Sequence, residues 1–160
     1  MWPLQLDSFD RKVLKIMQDS NRTTYEQIPE QTGLSPTAVQ RRVKPMCEQQ
    51  IISSDVSMVN AKALGRAMTL IVRISLEREH INLIDLFKKE MLQREEVQQC
   101  YYVTGSTDFI IVVTAFDMGD YERFTRDAFF DNANIRSFQT HVVMDAVKVG
   151  LTLPIDEKQN

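Results

Sequence analysis

The chain has 160 residues, of which 43% are apolar and 26% are charged. This composition is typical of a folded globular protein and excludes a chain that is mostly disordered. No apolar run approaches the roughly 18 residues that a membrane-spanning helix needs, because the longest one covers only residues 109–113. The net charge of −3 argues against strong, indiscriminate binding of nucleic acid by the whole chain.

The cysteines and the N-terminus bear on the compartment in which the protein is expected to act. Cys47 and Cys100 lie far apart and form no CxxC pair, so we expect no disulfide framework, no metal site and a reducing cytoplasm. The first nine residues carry an acidic residue and no basic one, which is unlike a targeting peptide.

The first sixty residues are predicted to form three short helices. Asp7 is placed to cap the first helix by accepting a hydrogen bond from the backbone N–H of Asp10. Thr24 is expected to cap a second helix that ends before Gly33, since glycine suits a left-handed C-terminal position. The pair Ser35-Pro36 is typical of a third helix start.

The third helix is predicted to have two contrasting faces. The apolar face is formed by Val39, Val43 and Met46. The nearly opposite face carries side chains suited to base edges and phosphates: Thr37, Gln40, Arg41 and Lys44. Arg42 lies toward the flank, where it suits a backbone phosphate. Helix, glycine turn and helix is the helix-turn-helix arrangement, although any amphipathic helix also has a polar outer face.

After residue 60 the pattern changes to an α+β arrangement. Apolar residues alternate from Met68 to Leu76, which predicts a strand. A helix at about 82–94, strands at 97–104 and 109–116, a helix at 117–130 and a strand at 135–147 follow. The order βαββαβ predicts a ferredoxin-like domain.

The third predicted strand, at 109–116, indicates a dimer. Residues 109–113 are apolar on both faces of their strand, whereas a strand with one wet face would alternate. With both helices on one side of the sheet, the other side needs cover, most simply from a second copy of the same sheet.

Four motifs resemble the leucine-responsive regulatory protein/AsnC family of transcription regulators. They are Leu6-Asp7…Asp10-Arg11…Leu14, Gly33-Leu34-Ser35-Pro36-Thr37…Arg41-Arg42-Val43-Lys44, Val103-Thr104-Gly105…Asp108-Phe109 and Thr140…Val142-Val143-Met144…Val147-Lys148. They span nearly the whole chain in the family's order.

The resemblance implies a DNA-binding helix-turn-helix with a linker strand in residues 1–60. It also implies a ferredoxin-like domain in residues 61–160 that dimerises, assembles further into a tetramer or octamer, and senses an amino acid between dimers. Double-stranded DNA would be contacted by Ser35, Thr37, Gln40, Arg41, Arg42 and Lys44. The effector would be contacted by Val103, Thr104, Gly105, Asp108, Met118, His141, Val142 and Val143. No cofactor, metal, membrane or catalytic residue is implied. Gly105 and Asp108 also suit a plain hairpin.

Three residues depart from the family pattern. Pro29 falls inside the second predicted helix, and Gln50 stands where a glycine usually closes the segment. Pro45 removes a helical hydrogen bond, so we expect the third helix to kink or to end near Val43.

These departures keep two alternatives open. One is a sensor that has lost DNA binding. The other is a tetrapyrrole-binding enzyme that resembles the sirohaem decarboxylases, for which the chain offers only the histidines His80 and His141.

Overall fold

A computed structural model describes residues 5–20, 22–78 and 80–156 and contains two compact units. The first unit comprises the chain up to Met58 together with the segment from Lys148 onward, and the second comprises Val59–Val147. The C-terminal segment therefore folds with the helices of the first unit, a feature that a division into 1–60 and 61–160 does not contain. Among the described residues, no helix is both long and apolar enough to cross a membrane.

The first unit contains three helices: α1 (Ser8–Asp19), α2 (Pro29–Thr32) and α3 (Pro36–Glu48). The predicted cap of α1 is confirmed, because the Asp7 carboxylate accepts from Asp10 N at 2.8 Å. The Asp10 carboxylate in turn accepts from Asp7 N at 3.0 Å, which completes a capping box. The core of this unit is formed by Val13, Ile28, Val39 and Val43.

The second helix is shorter than predicted. Residues 25–28 form turns, and α2 begins at Pro29 instead of after Thr24. Proline has no N–H to donate back to residue 25, so it is favoured at the first position of a helix and disfavoured inside one. The predicted end is confirmed, since Gly33 is left-handed with φ 73°.

The third helix does not end near Val43; it continues through Pro45 to Glu48. The proline costs about 3 kcal/mol in a helix interior, but burial of an apolar side chain such as Met46 contributes about 1.5–3 kcal/mol. The Met46 carbonyl also accepts from the amides of Ile51 and Ile52. The Arg41 carbonyl that loses its partner belongs to an exposed residue, where water can hydrate it.

The expected linker strand is absent from the described chain, because residues 53–60 have no regular secondary structure. A strand needs a neighbouring strand to pair its backbone groups, and none of the strands in the described part of the chain pairs with this segment. A 3-10 turn at Ala61–Leu64 follows. The C-terminal segment is held to α1 by the Gln18 side-chain amide, which donates to Leu153 O at 2.8 Å and accepts from Leu153 N at 3.1 Å.

The second unit has the predicted βαββαβ order. Its elements are β1 (Met68–Leu76), α4 (Ile81–Leu92), β2 (Val97–Tyr102), β3 (Phe109–Ala115), α5 (Met118–Thr125) and β4 (Ile135–Val142), with a π-helical turn at Arg126–Phe130 after α5. The strands form one antiparallel sheet in the order β2-β3-β1-β4. The last strand ends earlier than predicted, since it pairs with β1 only up to Val142 opposite Leu70.

Both helices pack on one face of this sheet. The shared core takes alternate residues of β1 and β3, such as Leu70 and Ile111, and the inner residues of the helices, such as Phe87 and Phe124. The residues between them in the two strands therefore lie on the opposite, open face of the sheet. This confirms the predicted α+β architecture and leaves one face of the sheet without helices.

Candidate functional site

The exposed face of α3 is the first candidate site. Ser35 caps the helix by accepting from Ala38 N at 3.3 Å, and Pro36 takes the first helical position. Val39, Val43 and Met46 are buried, which confirms the predicted apolar face. The four side chains predicted to face DNA, which we call the α3 ridge, are all exposed: Thr37, Gln40, Arg41 and Lys44.

Arg42 differs from its neighbours on α3. Its Nη1 lies 2.7 Å from Asp7 Oδ2 and 2.7 Å from Asp10 Oδ1, so one guanidinium joins α3 to the capping box of α1. The Asp10 side chain is only 8% exposed, whereas that of Asp7 is 49% exposed. The guanidinium also lies 5.6 Å from the centre of the Phe9 ring. We call Asp7, Asp10 and Arg42 the capping-box clamp. A phosphate contact by Arg42 stays a prediction, because its side chain already has two carboxylate partners.

The clamp changes the acidity of its members. Desolvation raises the pKa of Asp7, but the hydrogen bonds from Asp10 N and from Arg42 outweigh it and leave the pKa below the ordinary value. The hydrogen bonds from Arg42 to Asp10 and Asp7 raise the pKa of the guanidinium. Asp7 and Arg42 therefore stay charged in the folded protein at neutral pH.

The residues predicted to bind an effector fall into two groups. The first group lies at the β2–β3 hairpin: Val103, Thr104, Gly105 and Asp108. Gly105 has φ 119°, a conformation that other residues rarely adopt. One oxygen of Asp108 accepts from Leu76 N at 2.7 Å, and Asp108 N donates to Ile74 O at 2.9 Å. Asp108 thus fixes the hairpin to the end of β1, and its contact with an effector stays a prediction.

The second group lies at the other end of β1: Met118, His141, Val142 and Val143. Val142 pairs with Leu70, whereas the hairpin end of β3 pairs at Ile74. Four residues of strand separate these positions, which is about 13 Å. One chain therefore does not bring the two groups together.

Met118 also borders an open groove of about 620 Å³ between α5 and β4. Tyr121 and Phe138 line this groove, and the Tyr121 hydroxyl is hydrogen-bonded to Thr140 Oγ1. Burial raises the pKa of Tyr121, and the Thr140 bond only partly offsets the rise. The phenol therefore stays neutral at physiological pH.

Asp10 was not predicted from the sequence as a partner of Arg42. The signal for its capping role was present, because two acidic residues three positions apart at a helix start are typical of a capping box. The contact to a residue 32 positions away was not visible in that pattern.

Comparison with known proteins relates the two units to two domain families. The chain matches the family model of the Lrp/AsnC ligand binding domain over residues 69–153 and that of a winged helix-turn-helix DNA-binding domain over residues 6–53.

Among curated proteins, the HTH-type transcriptional regulator y4tD of Sinorhizobium fredii is 46% identical over 97% of this chain and 92% of its own length. The transcriptional regulator AzlB of Bacillus subtilis is 31% identical over 96% of this chain and 98% of its own. These relatives are transcriptional regulators and their family is non-enzymatic, which counts against the tetrapyrrole enzyme alternative.

Solved structures share the fold. An AsnC family transcriptional regulator from Agrobacterium tumefaciens has a TM-score of 0.89 at 25% identity and covers 96% of this chain and 100% of its own. A transcriptional regulator from Neisseria meningitidis, solved as a complex with L-Met, has a TM-score of 0.89 at 24% identity and covers 95% of this chain and 98% of its own. With both domain models matched in chain order and close relatives along nearly its whole length, this protein belongs to the Lrp/AsnC family of transcriptional regulators.

Proposed function

We propose that the α3 ridge lies in the major groove of duplex DNA and that the protein regulates transcription at specific sequences. The observation that carries this proposal is the division of α3 into a buried apolar face and an exposed face bearing Thr37, Gln40, Arg41 and Lys44. Arginine and glutamine form bidentate hydrogen bonds with guanine and adenine, and lysine suits phosphate. In this proposal Ser35, the N-cap of the helix, contacts the phosphate backbone of the same groove.

A single helix-turn-helix of this kind binds DNA weakly. Residues 1–60 hold seven basic and seven acidic residues, and Arg42 is paired within the protein. Since affinity for DNA follows the number of phosphates neutralised, useful affinity requires several linked copies. The proposal therefore includes an oligomer.

The open face of the sheet supplies the oligomer contact in this proposal. Ile71 is exposed there and pairs with Val112, next to Ile110 and the exposed Tyr101. A second copy of the same face would remove these side chains from water. Sedimentation at micromolar concentration tests this contact, and a stable monomer would contradict it.

The effector of the ligand-binding domain is proposed to be an amino acid bound between chains. The relative from Neisseria meningitidis was solved with L-Met, which supports this ligand class. The two groups of predicted effector residues lie at opposite ends of β1, so a site that uses both must join different copies. This agrees with an assembly of dimers into a tetramer or octamer, acting in the cytoplasm where its DNA lies.

The proposed DNA contact is tested with Arg41→Ala. Electrophoretic mobility shifts on the DNA upstream of the protein's own gene should show weaker binding, and the slope of log K against log salt should fall by about 0.9 for one lost phosphate contact. If Arg41 contacts a base instead, affinity falls by about 1–3 kcal/mol and discrimination at one position is relaxed. Arg22→Ala, an exposed arginine outside α3, is the matched control.

An unchanged operator affinity and salt slope in Arg41→Ala would contradict the α3 assignment. If the wild-type protein responds to amino acids in a thermal-shift screen but gives no footprint, it is a sensor without DNA binding.

A further inference from the structure

A second cavity lies on the open face of the sheet, outside both groups of predicted effector residues. It has a volume of about 340 Å³ and is lined by polar side chains from β1, β4 and the β2–β3 hairpin. They include Arg73, Arg136, Ser75, Ser106, Thr107 and Ser137. No carboxylate is among the described side chains that line it, so two guanidinium groups share one cavity without an acidic counterpart.

Both arginines are positioned by the fold. Arg73 alternates with the core residues Val72 and Ile74, which directs it to the open face. Its Nη2 donates to Ser106 Oγ at 3.0 Å, which ties the guanidinium to the hairpin. Arginine presents several donors in a fixed plane, and one such bond leaves the others for a ligand.

A β-bulge places Arg136. β1 pairs Ser75 with Ser137 and then Leu76 with Ile135, so Arg136 is an extra residue with no partner on β1. Bulges of this kind redirect a side chain, and they are over-represented next to binding and active sites. Here the bulge brings Arg136 and Ser137, which are adjacent in sequence, to the same cavity.

We propose that this cavity binds a small dianionic metabolite, either a dicarboxylate or a phosphate-bearing compound, through Arg73 and Arg136. The volume suits a ligand of metabolite size, and guanidinium groups bind carboxylate and phosphate by paired, charge-assisted hydrogen bonds. The hydroxyls of Ser75, Ser106 and Ser137 suit the ligand's remaining oxygens. The proposed dimer adds support, because covering this face would desolvate two arginines that have no carboxylate among the described residues of the cavity, at a cost that a bound anion offsets.

A dianion bound here would be a ligand of the sensing domain, so this inference extends the proposed function. Only the regulatory role of the ligand rests on that function. The binding site itself is independent of the α3 ridge. Bound anion would also contact Ser106, one residue from Gly105, and so reach the hairpin that the family resemblance assigns to the effector.

The test is isothermal titration of the full-length protein with inorganic phosphate, L-glutamate, glutarate and L-leucine, in a chloride buffer of constant ionic strength. We expect saturable binding of at least one dianionic probe, and a loss of affinity of about 10-fold or more in both Arg73→Gln and Arg136→Gln, as for a lost hydrogen bond to a charged group. Lys89→Gln is the matched control, because it removes one positive charge from an exposed position on α4, in the helix layer.

The probes separate the ligand classes. Binding of phosphate alone identifies a tetrahedral anion, and equal binding of glutarate and L-glutamate identifies a dicarboxylate without a need for the amine. The proposal is overturned if no dianion gives a saturable response, or if both arginine variants bind like the wild-type protein. The proposal is also overturned if the arginine variants lose the dimer and the wild-type protein binds no anion, since a carboxylate of the second copy would then fill the cavity. Operator binding by the same variants reports separately on the proposed function.

Discussion

Replacement of Arg42 by alanine tests whether this residue holds the helix-turn-helix together or contacts DNA. The change removes one side chain that two carboxylates share, each at 2.7 Å from Nη1. Asp10, whose side chain is only 8% exposed, would remain without its charged partner. We therefore expect Arg42→Ala to act first on the stability of the helical unit.

The two halves of the capping-box clamp differ in strength. Breaking a fully buried ion pair costs about 3–5 kcal/mol, but the Arg42 side chain is 28% exposed, which reduces the Asp10 contribution to about 2 kcal/mol. The Asp7 contribution is about 0.5 kcal/mol, because its side chain is half exposed. The total of about 2–3 kcal/mol corresponds to a melting temperature lower by about 10–20 °C for a unit of this size.

The melting temperature of the helical unit is measured by circular dichroism during thermal unfolding. Arg41→Ala, at the preceding and exposed position of α3, should change the free energy of unfolding by less than about 0.5 kcal/mol. In a double-mutant cycle, Arg42→Ala and Asp10→Asn together should cost less than the sum of the two single changes. If Arg42→Ala unfolds like the wild-type protein while its DNA binding loses salt dependence, Arg42 is a phosphate contact and does not clamp the two helices.

Three further changes probe other parts of the structure. Gln50 is left-handed with φ 58°, so Gln50→Gly should raise the free energy of unfolding by about 0.5–1 kcal/mol in urea denaturation, whereas Gln49→Gly, at φ −92°, should lower it. The pKa of Asp7 is lowered, so its contribution to stability is present above the ordinary pKa of 3.8 and is lost as the pH falls through the lowered value. The free energy of unfolding should therefore decline more steeply below pH 4 in the wild-type protein than in Asp7→Asn. Gly105→Glu should abolish the response of operator binding to amino acids, because the residue would have to adopt φ 119° at the hairpin. Sedimentation should show that the dimer is retained, and an unaltered response would remove the hairpin from the effector site.

Local patterns were sufficient for much of this protein. The 3.6-residue spacing of Val39, Val43 and Met46 predicted which face of α3 is buried, and strand alternation from Met68 to Leu76 predicted which residues of β1 enter the core. These patterns are reliable because burial of apolar side chains dominates the energy of each element. Apolar residues recur about every 3.6 positions in a helix and every second position in a strand.

Local patterns failed where a distant residue or a packing energy made the decision. They predicted that Pro45 either ends α3 near Val43 or kinks it. The predicted end is wrong, because burial of Met46 and the hydrogen bonds to its carbonyl carry the helix to Glu48, and the kink stays a prediction. They also predicted a start of the second helix at Thr24, whereas α2 begins at Pro29, because proline is favoured at the first position of a helix and disfavoured inside one.

The sequence by itself determined the order of the elements, the two faces of α3 and the family resemblance, because these depend on neighbours a few positions apart. Only the tertiary structure decided that Arg42 joins α3 to Asp7 and Asp10, since charges 32 and 35 positions apart meet only after the helices pack. The tertiary structure likewise separated the two groups of effector residues along β1 and brought Arg73 and Arg136 to one cavity. The reason is that strand register and a single bulge decide which side chains become neighbours, and no local period in the sequence specifies either.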